Sequence, residues 1–397
     1  RFRVPGVVGR VAIGADGTLY APYATPTRGR GVVAIDACGQ ERWRTPAVEP
    51  SRGGAILNGE VRLSTGGDVL LTSMLGDVAA RGVWRFDTDG RPRSPYPTDG
   101  TVALSGLTFS EDGRYAAYST SASGSDWMEW KVREVATGKD LPDTIKWSKF
   151  SGAAWKKDGS GFYYSRYDAP MSKDEAYNAV NKYQKVFFHK VGTAQGADEL
   201  VYERPDKPDW GFGADVTDDG RWLLIYQSEG TNRENRIFLR DLQDPNGKIE
   251  PFLDTFDASY NVVGNDGATF YVVTDKDAPR YRVVAIEKGK VDPAAWKTLV
   301  AQGPNRDVLS SVSLIANRFV TVWRTDAHEK LKLFALAGTF ESEIALPAIG
   351  SVAGISGKRK DTDTFYAFTS FNYPSTTFRY DVATKASTVF KQPTVDF

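Results

Sequence analysis

Phe109-Ser-Glu-Asp-Gly-Arg-Tyr115 is the stretch that decides the fold. A short apolar strand, Leu107 to Phe109, runs into Asp112-Gly113, a pair suited to the positive φ of a tight hairpin turn, and a second strand leaves it. The same punctuation recurs at Asp16-Gly17, Gly66-Gly67, Asp158-Gly159, Asp219-Gly220 and Asp266-Gly267, with weaker versions at Asn317 and Asp363. The intervals are 50, 46, 46, 61, 47, 51 and 46 residues. Each turn is followed by an alternating strand such as Arg221-Trp-Leu-Leu-Ile-Tyr226, then by a third such as Ile237-Phe-Leu-Arg-Asp241, and a fourth forms the outer edge. Eight turns at this spacing predict an all-β protein, a β-propeller of eight four-stranded blades, with seven blades as the alternative.

Composition agrees. At 397 residues the chain is too long for one ordinary core, and 12% aromatics with 38 Gly and 20 Pro favour short strands punctuated by turns. Fifty basic residues balance fifty acidic ones, so no net field exists to hold nucleic acid or an anionic membrane, and neither is expected as a partner. A single Cys38 excludes an internal disulfide framework and a multi-Cys metal site. No apolar run approaches the roughly 18 residues of a membrane span, and Arg1 opens directly into strand-like sequence, which predicts a soluble chain of cytoplasmic or periplasmic parentage. The 61-residue interval contains Arg166 to Lys185, polar in character, read as a loop or short helix inserted in the fourth blade, either surface decoration or a rim loop against a partner domain.

Charge type shifts near residue 100. Residues 1–100 contain 13 Arg and no Lys, whereas the remaining 297 contain 15 Arg and 22 Lys. The shift predicts two parents joined near Thr98 to Thr101. Downstream, Gly100-Thr-Val-Ala-Leu-Ser-Gly106, Phe109-Ser-Glu-Asp-Gly-Arg-Tyr115, Ser121-Ala-Ser-Gly-Ser-Asp-Trp127, Lys139-Asp-Leu-Pro-Asp143, Thr274-Asp-Lys-Asp-Ala-Pro-Arg280 and Phe368-Thr-Ser-Phe371 resemble the propeller of the prolyl oligopeptidase family. That propeller has seven blades, and the resemblance assigns residues 100–397 to its last six. Upstream, Gly14-Ala-Asp-Gly-Thr-Leu-Tyr20 and Val33-Ala-Ile-Asp-Ala-Cys-Gly-Gln-Glu-Arg-Trp-Arg44 resemble a quinoprotein-type (PQQ-like) repeat, so residues 1–99 are expected to be two foreign blades, with no quinone or other cofactor implied. Such a hybrid suggests an engineered scaffold. Arg1-Phe-Arg-Val-Pro5 resembles the outer strand Arg42-Trp-Arg-Thr-Pro46 and is expected to help close the ring beside Ala386-Ser-Thr-Val-Phe390.

Chemistry is sparse. A serine peptidase needs a nucleophilic Ser on an elbow, a His base and an orienting carboxylate, yet no Gly-x-Ser-x-Gly occurs, and His189 and His328 lie in strand-like or turn contexts on separate blades. The chain itself is therefore expected not to be an enzyme. Asp87-Thr-Asp-Gly90 and Asp361-Thr-Asp363 lack the ligand alternation and distant Glu of a calcium loop and read as turns, so no metal is expected. The resemblance to prolyl oligopeptidases implies half of a substrate pocket. Phe150 matches an aromatic wall residue; Gly211 stands where a larger apolar residue is usual, with Phe212 as a substitute; Ser228 takes the place of an arginine and Thr231 that of a cysteine. Trp210 and Phe150 could then share an exposed apolar patch. Three readings follow: a non-catalytic chimeric scaffold, the substrate-gating propeller of a prolyl oligopeptidase-like peptidase that meets peptide only with a hydrolase domain attached, and a protein-interaction propeller.

Overall fold

The computed structural model describes residues 9–10, 12–13, 18–24, 30–36, 40–45, 56–63, 69–75, 82–86, 92–93, 102–122, 125–170 and 181–392. The turn markers show why the strands begin where they do. At Asp112-Gly113 the Ser110 hydroxyl donates to Asp112 Oδ1 at 2.6 Å, the Gly113 N–H donates to the Ser110 carbonyl at 2.8 Å, and Gly113 takes φ 66°. Asp158-Gly159 repeats the device with Ser160, and Asp219-Gly220 with Thr217, each Asp accepting a hydroxyl at 2.6 Å while its glycine sits at φ 70° and 72°. A short side chain that hydrogen-bonds its own backbone and a residue without Cβ fix the hairpin locally. Asp363 is different. It begins the strand Asp363–Ser370, and the turn before it runs from Lys358 to Asp361.

Seven four-stranded sheets result, at 12–44, 102–148, 154–202, 210–253, 260–300, 308–344 and 351–391, each with its strands hydrogen-bonded in chain order. This is the all-β, seven-bladed propeller class with four-stranded blades, and it corrects the expectation of eight. The eighth marker, Gly66-Gly67, lies outside the described residues, and the strands around it do not make a four-stranded blade. Ile56–Leu63, Val69–Leu75, Gly82–Phe86 and Pro92–Arg93 join Gly9–Arg10 in a five-stranded sheet, with Gly9 opposite Gly59 and Arg10 opposite Glu60 in parallel pairing. Tight turns count hairpins, and a hairpin count equals a count of four-stranded blades only where no strand from elsewhere in the chain joins the set, as Gly9–Arg10 does here. Residues 1–5, expected to close the ring, lie outside the described residues, as do Asp16-Gly17, Cys38 and 171–180 of the expected insertion between Arg166 and Lys185. The outer strand Ala386–Lys391 pairs antiparallel with Tyr373–Asp381.

The chain divides into two compact units, one of residues 1–216, 222–231 and 239–249, the other of 217–221, 232–238 and 250–397. In the first, the 102–148 and 154–202 sheets pack through Trp130, Val132, Ile145, Trp155, Phe162 and Tyr164, all buried. In the second, Tyr271, Val283, Leu309, Phe319 and Trp323 fill one inter-sheet layer and Leu331, Leu333, Tyr366, Phe368 and Tyr380 another. A sheet covered on both faces buries consecutive residues, as Gly161–Arg166 and Arg318–Thr325 do, whereas Asp363–Ser370 buries alternate ones. Among the described residues no helix is long and apolar enough to cross a membrane.

Candidate functional site at the rim of the first unit

The wall candidates gather where three sheets of the first unit end on one side: the chain after Lys139–Ser148, the start of Lys185–Lys190, and the start of Trp210–Val216 with the end of Trp222–Glu229. Gly211 and Ser228 are cross-strand partners. A Cβ at position 211 would lie 2.9 Å from Ser228 Oγ, so the small residue leaves room for that hydroxyl, and a larger one would need it to rotate away. Thr231 is exposed in the turn after this hairpin. Phe150 is 67% exposed and sits at φ 54°. Phe212 does not point outward with it; its ring is buried edge-on to Tyr202, centroids 5.3 Å apart. Trp210 is half-buried beneath two cations, Arg204 at 4.6 Å and Lys207 at 5.7 Å from its ring centre, so it makes no bare apolar patch with Phe150.

Gln184, which the sequence does not single out, ties these pieces together. Its side chain is buried, its Nε2 donates to the Lys149 carbonyl at 2.9 Å, and its Oε1 accepts the Phe212 N–H at 2.6 Å. One amide thus joins the Phe150 loop to the strand of Gly211. The Tyr183 N–H donates to the Pro208 carbonyl at 2.7 Å, and Lys149 Nζ donates to Asn181 Oδ1 at 3.2 Å while lying 4.0 Å over the Trp127 ring. Trp127 meets Trp147 and Tyr167 edge-on at 5.6 and 6.0 Å, and Ser148 Oγ donates to the Ser165 carbonyl at 2.8 Å. Replacing Gln184 by Met, similar in length but unable to hydrogen-bond, leaves the Phe212 N–H and the Lys149 carbonyl without their partner. We expect a loss of about 1–3 kcal/mol for an orphaned group and faster amide exchange at Phe212, both readable by exchange mass spectrometry under denaturant titration.

Beside the rim lies a solvent-open cleft of about 430 Å³ lined by Asp168, Tyr183, Gln184, Lys185, Glu203 and Arg204. Its charges are paired: Lys185 Nζ contacts both Asp168 oxygens at 3.0 and 2.8 Å, and Arg204 grips Asp206 through two bonds of 2.8 and 2.7 Å. The Arg204 guanidinium holds the Asp206 carboxyl down at about 2.

The histidines do not build a peptidase triad. His189 is fully buried with Nε2 2.8 Å from Asp143 and Nδ1 2.7 Å from Asp198, so both ring nitrogens are occupied by carboxylates and neither is free to act as a base. His328 opens the strand His328–Ala335 opposite Thr325. Among the described residues no three His, Cys, Asp or Glu groups are placed to hold a metal ion.

Comparison with known proteins identifies the fold's relatives. Residues 95–393 match the family model described as prolyl oligopeptidase, N-terminal beta-propeller domain. The chain is 35% identical over 320 residues to a prolyl endopeptidase of Elizabethkingia meningoseptica, covering 79% of this chain and 44% of that protein. It is 31% identical over 306 residues to prolyl oligopeptidase A of Amanita bisporigera, covering 72% and 40% respectively. A solved structure of prolyl oligopeptidase B from Galerina marginata bound to a 25mer macrocyclization substrate superposes with a TM-score of 0.74 at 25% identity, over 86% of this chain and 51% of that one. The chain therefore spans about half, or less, of the length of these relatives. A match over 86% of the chain is wider than residues 100–397 alone, so the structural likeness runs into the first 99 residues. The quinoprotein-type segment and the hybrid, engineered origin drawn from it gain no support from these matches.

Proposed function

This chain belongs to the prolyl oligopeptidase family, as its N-terminal β-propeller domain, and we propose that it serves as the substrate-gating wall of a serine peptidase acting on proline-containing peptides. The hydrolytic groups would stand on a separate domain. The observation that carries the reading is Phe150: a large apolar side chain left two-thirds exposed, on left-handed backbone, at a rim fastened by buried hydrogen bonds. A bulky apolar side chain with no ligand to meet gains nothing from such exposure or such backbone. For the same reason the function-free scaffold is set aside. The test is a hydrolysis assay on this propeller joined to a prolyl oligopeptidase hydrolase domain, offered a proline-containing octapeptide and the same octapeptide embedded in a folded protein. Cleavage of the free peptide with the embedded copy spared is expected, and the 397-residue chain alone should turn over neither. Turnover by the chain alone, or equal cleavage of both substrates, would overturn the reading.

A second reading, a protein-interaction propeller, rests on the other unit, where Phe371 is fully exposed at the turn before Tyr373–Asp381 and Ile349 is exposed just before Ser351–Ser356.

A further inference from the structure

Three aromatic residues of the rim sit on left-handed backbone: Trp147 at φ 64°, Phe150 at φ 54° and Tyr183 at φ 62°. Bulky side chains rarely occupy this region, because Cβ crowds the following carbonyl. Trp147 has a packing reason, its edge-on contact with Trp127. Phe150 and Tyr183 do not share it, for both residues are exposed, 67% and 49%. They are also coupled. Phe150 follows Lys149, whose carbonyl receives the Gln184 amide, and Tyr183 precedes Gln184, so each aromatic stands one residue from an end of the same hydrogen bond. Segment 181–184 is stitched on both sides, by Lys149 to Asn181 and by Gln184 to the Lys149 carbonyl on one, and by Tyr183 to Pro208 and Gln184 to Phe212 on the other. Tyr183 in addition lines the 430 Å³ cleft.

We propose that Phe150 and Tyr183 together form a two-aromatic platform for an extended, proline-containing peptide, whose apolar and pyrrolidine rings pack on the two exposed faces. The inference rests on the substrate-wall reading and adds to it Tyr183, a residue that the sequence resemblance does not supply, and the Gln184 amide as the positioning group that sets the spacing of the platform. The chemistry suits a proline-rich ligand: flat aromatic faces give proline rings broad contact, and a pre-set extended peptide loses little conformational freedom on binding. Uncompensated cations, which would select acidic peptides, are missing from the lining of the cleft, since Lys185 and Arg204 already hold carboxylates.

The test exploits the strained backbone. Glycine occupies φ near +60° without the Cβ penalty, so Phe150→Gly and Tyr183→Gly should leave the melting temperature unchanged or raised while removing a ring. The 397-residue chain and the two variants are titrated with a fluorescein-labelled octapeptide of repeated Gly-Pro, with Phe371→Gly, a fully exposed aromatic of the other unit, as control. We expect about tenfold weaker binding for Phe150→Gly and for Tyr183→Gly, and parental affinity for Phe371→Gly. Gln184→Met, which loses both bonds, should also weaken binding, and parental affinity for it would show that this amide does not position the platform. If the parent binds and Tyr183→Gly binds equally well, the platform is wrong and the wall reading stands. If Tyr183→Gly lowers the melting temperature without touching binding, Tyr183 is a structural residue and the platform is again wrong. If the parent does not bind the peptide while a peptidase carrying this propeller still cleaves it, the platform alone fails; if neither binds nor cleaves, the wall reading fails with it.

Discussion

Replacing His189 by alanine should cost the first unit about 3–5 kcal/mol, because it leaves two carboxylates buried without the cation between them. Asp143 comes from the strand Lys139–Ser148 of one sheet, His189 from Lys185–Lys190 of the next, and Asp198 from the link to that sheet's outer strand, so the imidazole straps two sheets together. Further groups complete the cluster: the Tyr164 hydroxyl donates to Asp198 at 2.6 Å, the Gly192 N–H donates to Asp143 at 2.6 Å, and the Phe162 ring lies 5.3 Å from the imidazole. Burial alone would push the His189 pKa down, but the hydrogen bonds and charges of Asp143 and Asp198 override it and raise the value from 6.5 to about 9. Burial and the bond to Asp198 likewise push the Tyr164 phenol well above its ordinary range, so it stays a neutral donor throughout.

The pH dependence follows from which state holds the proton more tightly. The folded chain does, so the strap contributes fully below pH 6.5 and its contribution fades as pH rises through about 9. Urea midpoints measured at about pH 6, 8 and 9.5, values that bracket the window from 6.5 to about 9, should fall for the parent and stay flatter for His189→Gln. An equal decline in both proteins would show that other groups govern alkaline stability.

Trp130→Ala is the second large effect, again about 3–5 kcal/mol for emptying a fully buried aromatic site. Its ring packs against Phe162 with centroids 6.4 Å apart, and the absence of a side chain at Gly106 makes room for it, since a Cβ there would come within 2.9 Å of the indole. The indole also reaches the rim. Its Nε1–H donates to Ser148 Oγ at 3.2 Å, and that hydroxyl donates onward to the Ser165 carbonyl, two residues before Phe150 begins its exposed turn. Trp130→Ala should therefore both lower the urea midpoint and accelerate amide exchange over 147–150. Trp130→Phe keeps most of the volume and loses the donor, so it should lose less stability while still loosening Ser148. A Trp130→Ala protein with unchanged exchange over 147–150 would show that the core and the rim are not coupled through this residue.

Much of the site lay beyond a reading of the chain alone. Phe150 was legible because resemblance to a family supplies its position. Gln184 was not, since a single glutamine in a polar stretch gives no periodic or motif signal, and its importance lies in two backbone groups, at 149 and 212, far away in sequence. Adjacency to Gly211 suggests Phe212 for the wall, but neighbouring residues of a strand face opposite ways, and its ring lies in the core against Tyr202. The strand context of His189 carries no sign of its chemistry, because the two carboxylates that define it stand 46 positions before it and nine after.

The features legible along the chain are local: all-β character, strand periodicity, and the Asp-Gly turns at 112, 158 and 219, whose hydrogen bonds close within a few residues. It also carried the family, through motifs spread over the stretch that the propeller model matches. Only the tertiary structure decided how hairpins are apportioned to sheets, giving seven four-stranded blades and sending Gly9–Arg10 to pair with a strand some fifty residues away. Only it decided which aromatics stay outside and which amide fastens them. The reason is one of range: a turn is specified by the side chains within it, whereas sheet membership and rim geometry depend on which distant edges and carbonyls the folded chain brings within hydrogen-bonding distance.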